Sequence, residues 1–180
     1  ALDNTVTVTG TGGSTDDLFT TYTTDNVTFK PKVTDIYELQ LTTNLGGTNS
    51  TTVNLGDTSG TSKVTASLGA ADTLILDKLS GESLKLTAAA TTANFNPKLA
   101  DDSGSSDTLT IEVKAAGGGN ISDNATITTS DIETVTIKST GPAAGETIGL
   151  DLSMDAASKT VELKITGNDP ISVNSLNADV

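Results

Sequence analysis

The sequence predicts an all-β fold, which we interpret as a parallel β-solenoid (β-helix) built from a tandem duplication. Apolar runs of about four to six residues alternate with polar ones, and Gly, Asn, Asp or Ser separates the runs. Ser130–Thr140, SDIETVTIKST, has a near copy at Thr34–Asn44, TDIYELQLTTN. Aromatic residues make up only 3% of the 180 residues, and Trp is absent. A narrow core of stacked Leu, Ile and Val suits this composition.

The duplication extends beyond that pair of segments. Asp25–Phe29 matches Asp123–Ile127, and Asp72–Leu76 matches Asp169–Val173. Ordered agreement of this kind is typical of a repeat architecture. We therefore divide the chain into a first repeat unit with a connecting segment, residues 1–100, and a second repeat unit, residues 101–180. The two units can also form one continuous solenoid.

A second β architecture fits the same strands, namely two tandem β-sandwich (Ig-like) domains. Each repeat unit has roughly the hundred residues that such a domain needs. A sandwich core, however, usually includes bulky aromatic side chains between its sheets. The chain has three Phe and two Tyr. This composition favours the solenoid and leaves the sandwich as the alternative.

The strands follow from alternation of apolar and polar residues along the chain. The first copy of the duplicated strand, Ile36–Leu41, should align with its second copy so that Ile36, Leu39 and Leu41 take the places of Ile132, Val135 and Ile137. Ile36 should face away from Leu39 unless a bulge intervenes at residues 37–38. The segment Thr87–Asn96, rich in Ala and Thr, is where a helical turn is predicted. The other predicted strands are Thr5–Thr9, Leu18–Tyr22, Val27–Phe29, Thr51–Leu55, Lys63–Leu68, Thr73–Leu76, Ser83–Thr87, Thr160–Ile165 and Ile171–Val173.

The charge and cysteine content exclude several classes of function. Ten Lys and Arg stand against 23 Asp and Glu, which gives a net charge of -13. Nucleic-acid binding needs clustered cations, so we expect no nucleic-acid partner. No apolar run approaches the roughly 18 residues that span a bilayer, so no membrane span is predicted. The excess of carboxylates provides oxygen ligands for a hard cation such as calcium.

We expect no catalytic activity. The chain has no His and no Cys, which removes Ser-His-Asp triads, Cys-His pairs and ordinary zinc sites. Glycosidase chemistry needs two acids roughly 5 to 10 Å apart in a cleft. The adjacent acids Asp101 and Asp102 lie in a Gly/Ser loop, where a solvated turn explains them better.

A short turn containing Gly leads three times into Asp and then into an aliphatic residue. The three segments are GAADTL with Asp72, GSSDTL with Asp107 and GNDPI with Asp169. They are distantly similar to the calcium-binding nonapeptide repeats of RTX proteins. We predict that calcium, if the chain binds it, lies at Asp72, Asp107 and Asp169, with Asp101 and Asp102 as the next candidates. The structural alternative is an Asp that caps a turn before a strand.

The phrases DTLTIEV, DIETVTIKST and TVELKITGND resemble the repeating phrases of bacterial surface-layer (S-layer) proteins of the Caulobacter and Campylobacter type. The resemblance implies a secreted, extracellular segment at the cell surface, a calcium-supported β fold, and self-association into a lattice or filament. The chain departs from that pattern because it lacks intact glycine-rich nonapeptides. The alternative function is a stalk or carbohydrate-binding module of a large bacterial adhesin, with cell-surface polysaccharide as its partner.

Overall fold

The computed structural model describes residues 6–89, 92–114, 125–140, 148–155 and 161–179, and these ranges contain strands and no helix. Accordingly, they hold no helix able to cross a membrane. The strands are β1 (Thr7–Thr9), β2 (Asp17–Tyr22), β3 (Val27–Phe29), β4 (Lys32–Thr34), β5 (Glu38–Thr43), β6 (Ser50–Asn54), β7 (Thr58–Ser59), β8 (Lys63–Leu68), β9 (Thr73–Leu79), β10 (Ser83–Ala89), β11 (Asn94–Leu99), β12 (Thr108–Val113), β13 (Ala125–Ser130), β14 (Thr134–Ser139), β15 (Ile148–Asp155), β16 (Glu162–Gly167) and β17 (Ile171–Asp179).

The strands form three parallel sheets wound around one axis. Sheet 1 has the order β16-β14-β12-β10-β8-β5-β2, and sheet 2 has the order β17-β15-β13-β11-β9-β6-β3. A short sheet 3, β1-β4-β7, adds a third side to the first turns. The chain thus makes about six turns of a β-solenoid. The prediction of a parallel β-solenoid is confirmed, and the alternative of two sandwiches is wrong, because sandwich sheets are antiparallel.

One apolar core runs through all the turns. Alternation directs every second side chain inward, as in β12, where Leu109, Ile111 and Val113 are buried between exposed or half-buried neighbours. Because the strands are parallel and in register, the inward side chains stand above one another in columns. One column of sheet 1 contains Leu39, Val64, Leu84, Ile111 and Ile137, each at most 1% exposed. A column of sheet 2 contains Thr51, Leu74, Phe95, Ile127 and Leu152.

The corners that lead into sheet 1 use left-handed backbone. Asp35 and Asp131 have φ of 55° and 57°, and Gly60 has φ of 74°. A Cβ at Gly60 would lie 2.7 Å from Asp35 Oδ1, so only glycine fits the close approach of these two turns. The bend at Asp35–Tyr37 also lets Ile36 point inward with Leu39, since both are buried while Tyr37 between them is exposed. Ile36 therefore does not face away from Leu39, and the cause is this bend rather than the bulge at residues 37–38 that the prediction allowed, since β5 pairs in regular register from Glu38.

The two sequence repeats lie four turns apart in the same sheets, with β5 and β14 in sheet 1. Leu39 and Val135 each lie four residues after a left-handed Asp, as the sequence match predicts. Their columns differ, however, because Leu39 stands in line with Ile137. The match of Leu39 to Val135 between the repeats therefore does not place these two residues in one column. A shift of two residues preserves the buried face, so apolar patterning alone does not detect it.

The shift arises where the two repeats meet. β8 and β10 begin in register, with Lys63 beside Ser83, and β12 and β14 begin in register, with Thr108 beside Thr134. Between β10 and β12 the register pairs Leu84 with Ile111. β12 therefore extends two residues, Thr108 and Leu109, past the start of β10.

The helical turn predicted for Thr87–Asn96 is wrong in the part of this segment that the structure describes. Thr87 belongs to β10, and Asn94–Asn96 belongs to β11. β11 also contains Pro97, which has no amide hydrogen to donate to the ladder. The register shifts between Pro97 and Leu99, so an irregularity accommodates the proline. Tertiary pairing with β9 outweighs the local helix preference of the Ala-rich sequence.

Candidate functional site

The three aspartates predicted first as metal ligands lie in three separate corners. Asp72 precedes β9, Asp107 precedes β12 and Asp169 precedes β17. The three residues lie on alternate turns of the solenoid. Asp107 lies at the corner that leads into sheet 1, whereas Asp72 and Asp169 lie at the corner that leads into sheet 2. Within the described ranges, no three acidic side chains converge on a common point that could hold a metal ion. Each corner therefore has to be considered by itself.

Asp72 is the most deeply buried of these aspartates, at 1% exposure. The Leu45 amide donates to its Oδ2 at 3.1 Å, across one turn of the solenoid. Its own amide donates to the Gly69 carbonyl at 3.3 Å, which closes the turn before β9. Oδ1 is buried and has no hydrogen-bond partner among the described residues. The side chain thus caps a turn and keeps one oxygen available.

Asp107 lies beside an acid that the sequence analysis did not single out, Glu133. The Asp107 amide donates to Glu133 Oε2 at 2.7 Å, and Glu133 is 8% exposed. The two residues occupy matching positions on consecutive turns, because the following residues, Thr108 and Thr134, are paired. Asp107 Oδ2 is buried with no hydrogen-bond partner in the described part of the chain. This corner therefore carries carboxylates from two consecutive turns.

The sequence contains a signal that could have found Glu133. In the duplicated stretch, the first copy reads TDIYEL and the second reads SDIETV, so Glu133 replaces Tyr37. Tyr37 is exposed, whereas Glu133 is buried. A carboxylate in place of an exposed aromatic residue, just before an apolar strand, marks a corner where the two repeats differ.

The remaining candidates are arranged differently. Asp169 exchanges two hydrogen bonds with Ser139: its amide donates to the hydroxyl at 3.0 Å, and the hydroxyl donates to its carbonyl at 2.9 Å. Asp169 Oδ2 is buried without a hydrogen-bond partner among the described residues. Asp101 and Asp102 are exposed. Hydrogen bonds from the Ser103 hydroxyl and amide lower the pKa of Asp101, so this residue is the cap of its own turn.

Asp16 shows what a satisfied turn cap looks like in this fold. Its Oδ2 accepts bonds from the Thr11 amide at 2.6 Å, the Thr11 hydroxyl at 2.8 Å and the Gly13 amide at 3.3 Å. The Thr11 hydroxyl is the largest of the causes that lower the pKa of Asp16. Asp72, Asp107 and Asp169 differ from it, because each keeps a buried oxygen that no described group satisfies.

A cleft of about 410 Å³ opens where β12 extends past β10. The pairing of these strands begins at Ile111, so Thr108–Thr110 present a strand edge toward the cleft. Its apolar wall consists of Leu79, Leu84, Leu99 and Leu109, and its charged rim of Glu82, Glu112 and Lys138. Glu112 accepts bonds from Lys85 at 2.6 Å and from Thr140 at 2.8 Å, and the bond from Lys85 is the main cause that lowers its pKa.

Opposite charges also meet along the outer face of sheet 1. The Nζ atom of Lys63 lies 2.9 Å from Oε2 of Glu38, the residue paired with it on the neighbouring strand. Two turns further along, the Nζ atom of Lys85 lies 2.6 Å from Oε1 of Glu112. Neighbouring turns are thus linked by cross-strand ion pairs as well as by backbone bonds.

Searches of protein-family models, curated proteins and solved structures found no match to this chain.

Proposed function

We propose that the chain is a structural segment of a secreted, self-assembling cell-surface protein of the surface-layer kind, and that calcium supports its corners. The observation that carries the proposal is the open last turn. Ile165 is 46% exposed and Leu176 is 54% exposed, although both point toward the core. Their column neighbours one turn earlier, Ile137 and Leu152, are 0% and 2% exposed.

An open turn of this kind requires further protein. β16 and β17 end their sheets, so no strand of the described chain pairs with their outer edges. Unpaired edges beside exposed apolar side chains promote association unless a cap covers them. Another turn of the same polypeptide or a second copy supplies the same cover. A second copy that stacks there would lengthen the solenoid, as growth of a surface layer or filament requires.

The oxygen atoms in the corners support the calcium part of the proposal. Calcium binds six to eight oxygens at about 2.3–2.6 Å. The Asp107–Glu133 corner offers two carboxylates, the corner of Asp72 offers one beside the Gly69 carbonyl, and the corner of Asp169 offers one. The ligand chemistry therefore fits, and each site needs backbone or water oxygens to complete its shell. A net charge of -13 adds a general attraction for cations.

Thermal melts with calcium and with a chelator test the calcium part. Binding to the folded state at a hundredfold excess over Kd adds about 2.7 kcal/mol, which for a domain of this size is roughly 5–10 °C. Asp72→Asn, Asp107→Asn and Asp169→Asn should each shrink that gap, whereas the exposed control Asp25→Asn should not. Superimposable melts of the unaltered protein would leave these aspartates as turn caps.

The structural part is tested by electron microscopy and sedimentation of the purified chain. We expect ordered sheets or filaments and a mass that rises with concentration. A double variant, Ile165→Glu with Leu176→Glu, should stay monomeric because it charges the open apolar end. The matched control, Thr166→Glu with Ser175→Glu, alters exposed positions on the same two strands and should still assemble. A chain that stays monomeric at every concentration, with and without calcium, would contradict the proposal.

The cleft between β10 and β12 supports a second candidate, a stalk or carbohydrate-binding module of a large adhesin. Its volume is that of a small-ligand site, and its rim carries charged groups. The described residues that line it are aliphatic or polar, so a sugar would bind through hydrogen bonds rather than by stacking on a ring. Binding of cell-surface polysaccharide that is lost in Glu82→Gln would favour this function over assembly.

A further inference from the structure

The sequence contains a single Asp–Pro peptide bond, between Asp169 and Pro170, in the corner that joins β16 to β17. A bond of this type is chemically labile for two reasons. The Asp carboxyl can attack its own carbonyl carbon as a nucleophile. The released proline nitrogen is that of a basic secondary amine, which readily accepts the proton that bond breakage requires. The surroundings of the carbonyl and the carboxyl then determine whether the bond is stable.

The hydroxyl of Ser139 is bonded to both backbone groups of Asp169. It donates to the Asp169 carbonyl oxygen at 2.9 Å and accepts from the Asp169 amide at 3.0 Å. Ser139 is only 1% exposed, so this hydroxyl is shielded from water. A shielded donor on a carbonyl oxygen stabilises the negative charge that develops there when a nucleophile attacks the carbon.

The backbone around this bond is arranged so that the hydroxyl reaches it. Ser139 is paired with Gly167 in the register of β14 and β16, and its hydroxyl extends past Gly167 to Asp169. A Cβ at Gly167 would clash with the Ser139 hydroxyl and backbone, and the φ of 122° at this glycine is one that side chains rarely adopt. Beyond the bond, the Pro170 carbonyl accepts from the Ile148 amide at 3.0 Å. Both sides of the Asp169–Pro170 bond are therefore fixed, which favours a reaction within the chain.

The carboxyl of Asp169 keeps an oxygen available as the nucleophile. Its Oδ2 is buried and has no hydrogen-bond partner in the described part of the chain. An oxygen that accepts no hydrogen bond has none to break before it attacks. The corner thus combines a nucleophile, a polarised carbonyl and a good leaving group in two consecutive residues.

We propose that the chain cleaves itself between Asp169 and Pro170. A carboxyl oxygen of Asp169 attacks the Asp169 carbonyl carbon, and the Ser139 hydroxyl stabilises the resulting oxyanion. The C–N bond then breaks with its electron pair on the Pro170 nitrogen, which takes a proton from a water molecule. Asp169 is left as a five-membered cyclic anhydride, and the remaining hydroxide opens it to a C-terminal aspartate. The net reaction is hydrolysis of one peptide bond, once per chain, and it is independent of the proposed structural role.

The first repeat provides an internal control for the role of the proline. Asp72 occupies the matching corner, and it also has a buried carboxyl oxygen without a partner among the described residues. Its carbonyl accepts a backbone bond from the Asn94 amide at 2.8 Å, but Thr73 follows it in place of proline. The Asp72–Thr73 bond therefore has a nucleophile and a polarised carbonyl with a poorer leaving group, and it should stay intact.

The test is incubation of the purified chain with a chelator, followed by mass spectrometry under denaturing conditions. The chelator prevents calcium from occupying the Asp169 carboxyl. Denaturing conditions are needed because β17 is paired with β15 and would stay bound after the cut. We expect fragments of residues 1–169 and 170–180. In urea, where the Ser139 hydroxyl no longer reaches the carbonyl, the same bond should break more slowly by about tenfold or more.

Three variants assign the roles of the side chains. Asp169→Asn removes the carboxyl and should stop the reaction. Ser139→Ala should slow the cut by about tenfold or more, whereas Ser139→Thr retains a hydroxyl and should restore it. As the matched control, Asn96→Asp creates a second bond of the same type, to Pro97, within β11, where backbone pairing with β9 replaces the serine hydroxyl. This second bond should outlast the one at Asp169, and circular dichroism verifies that each variant is folded.

The outcomes decide between cleavage assisted by the fold and ordinary lability of the bond. If the bond breaks equally fast in the folded chain and in urea, or if folded Ser139→Ala is cut as fast as the unaltered chain, the proposal is wrong. It is also wrong if the folded chain stays whole while the chain in urea is cut, because the fold then protects the bond. None of these readouts depends on assembly or on calcium, so the proposed function stands or fails separately.

Discussion

Two isoleucines in one column of the core allow the cost of replacement by Ala to be compared at two levels of burial. Ile137 and Ile165 are neighbours in the same column of sheet 1, and their exposures are 0% and 46%. Replacing a fully buried Ile by Ala removes apolar contacts and leaves a cavity, at a typical cost of about 2–5 kcal/mol. At Ile165 about half of that surface is already in water, so the expected cost is about 1–2 kcal/mol.

The assay is urea denaturation followed by far-ultraviolet circular dichroism, since the chain has no Trp to serve as a fluorescent probe. The protein should be dilute, because assembly would bury Ile165 and so increase the loss of stability that Ile165→Ala causes. Thr136→Ala, on the outer face of β14, is the control and should cost about 1 kcal/mol or less. If Ile137→Ala and Ile165→Ala lower the free energy of unfolding equally in dilute protein, or if Ile165→Ala lowers it more, the assignment of an open last turn is refuted.

Three further predictions follow from single sites. The bond from Lys85 lowers the pKa of Glu112, although partial burial opposes this shift. The ionised Glu112 therefore stabilises the fold fully above its unfolded-state pKa of about 4.3, and this stabilisation is lost as the pH falls through the lower folded-state pKa. Glu112→Gln should make the free energy of unfolding less dependent on pH in this acid range. Burial raises the pKa of Tyr22 to about 12, so stability should fall as the pH rises from about 10 to 12, and Tyr22→Phe should remove that loss. Gly60→Ala should destabilise more than Gly46→Ala in thermal melts, because both have positive φ but only Gly60 faces a neighbouring turn within 4 Å; equal losses would contradict the close approach to Asp35.

The fold could be predicted because its determinants are local and periodic. The strand Ile36–Leu41 was predicted from alternation alone, and its Leu residues are in the core. The scarcity of aromatic residues separated the solenoid from the sandwich, because a narrow interior is filled by stacked aliphatic side chains. Pro97 could not be placed, since its tolerance within β11 depends on a register irregularity with β9 that no local pattern encodes.

The candidate site was less predictable, because it depends on register between turns. Asp72 and Asp107 were found from the turns before their strands. Glu133 was missed, because its nearness to Asp107 follows from the pairing of Thr108 with Thr134. The cleft was missed for the same reason, since a two-residue shift between β10 and β12 leaves the apolar pattern of each strand unchanged. Sequence periodicity determines which face is buried, and the tertiary structure determines which residues meet.

The central claim, that this solenoid acts as a structural unit by stacking on copies of itself, is tested most directly by the axial repeat of its assemblies in cryo-electron microscopy. Each copy contributes seven strands to each main sheet, and in-register stacking at about 4.8 Å per strand gives a repeat of roughly 34 Å. We expect filaments or sheets with that repeat and continuous strands across each junction. Particles that remain single solenoids, or assemblies whose repeat is not that of seven strands, would contradict the account.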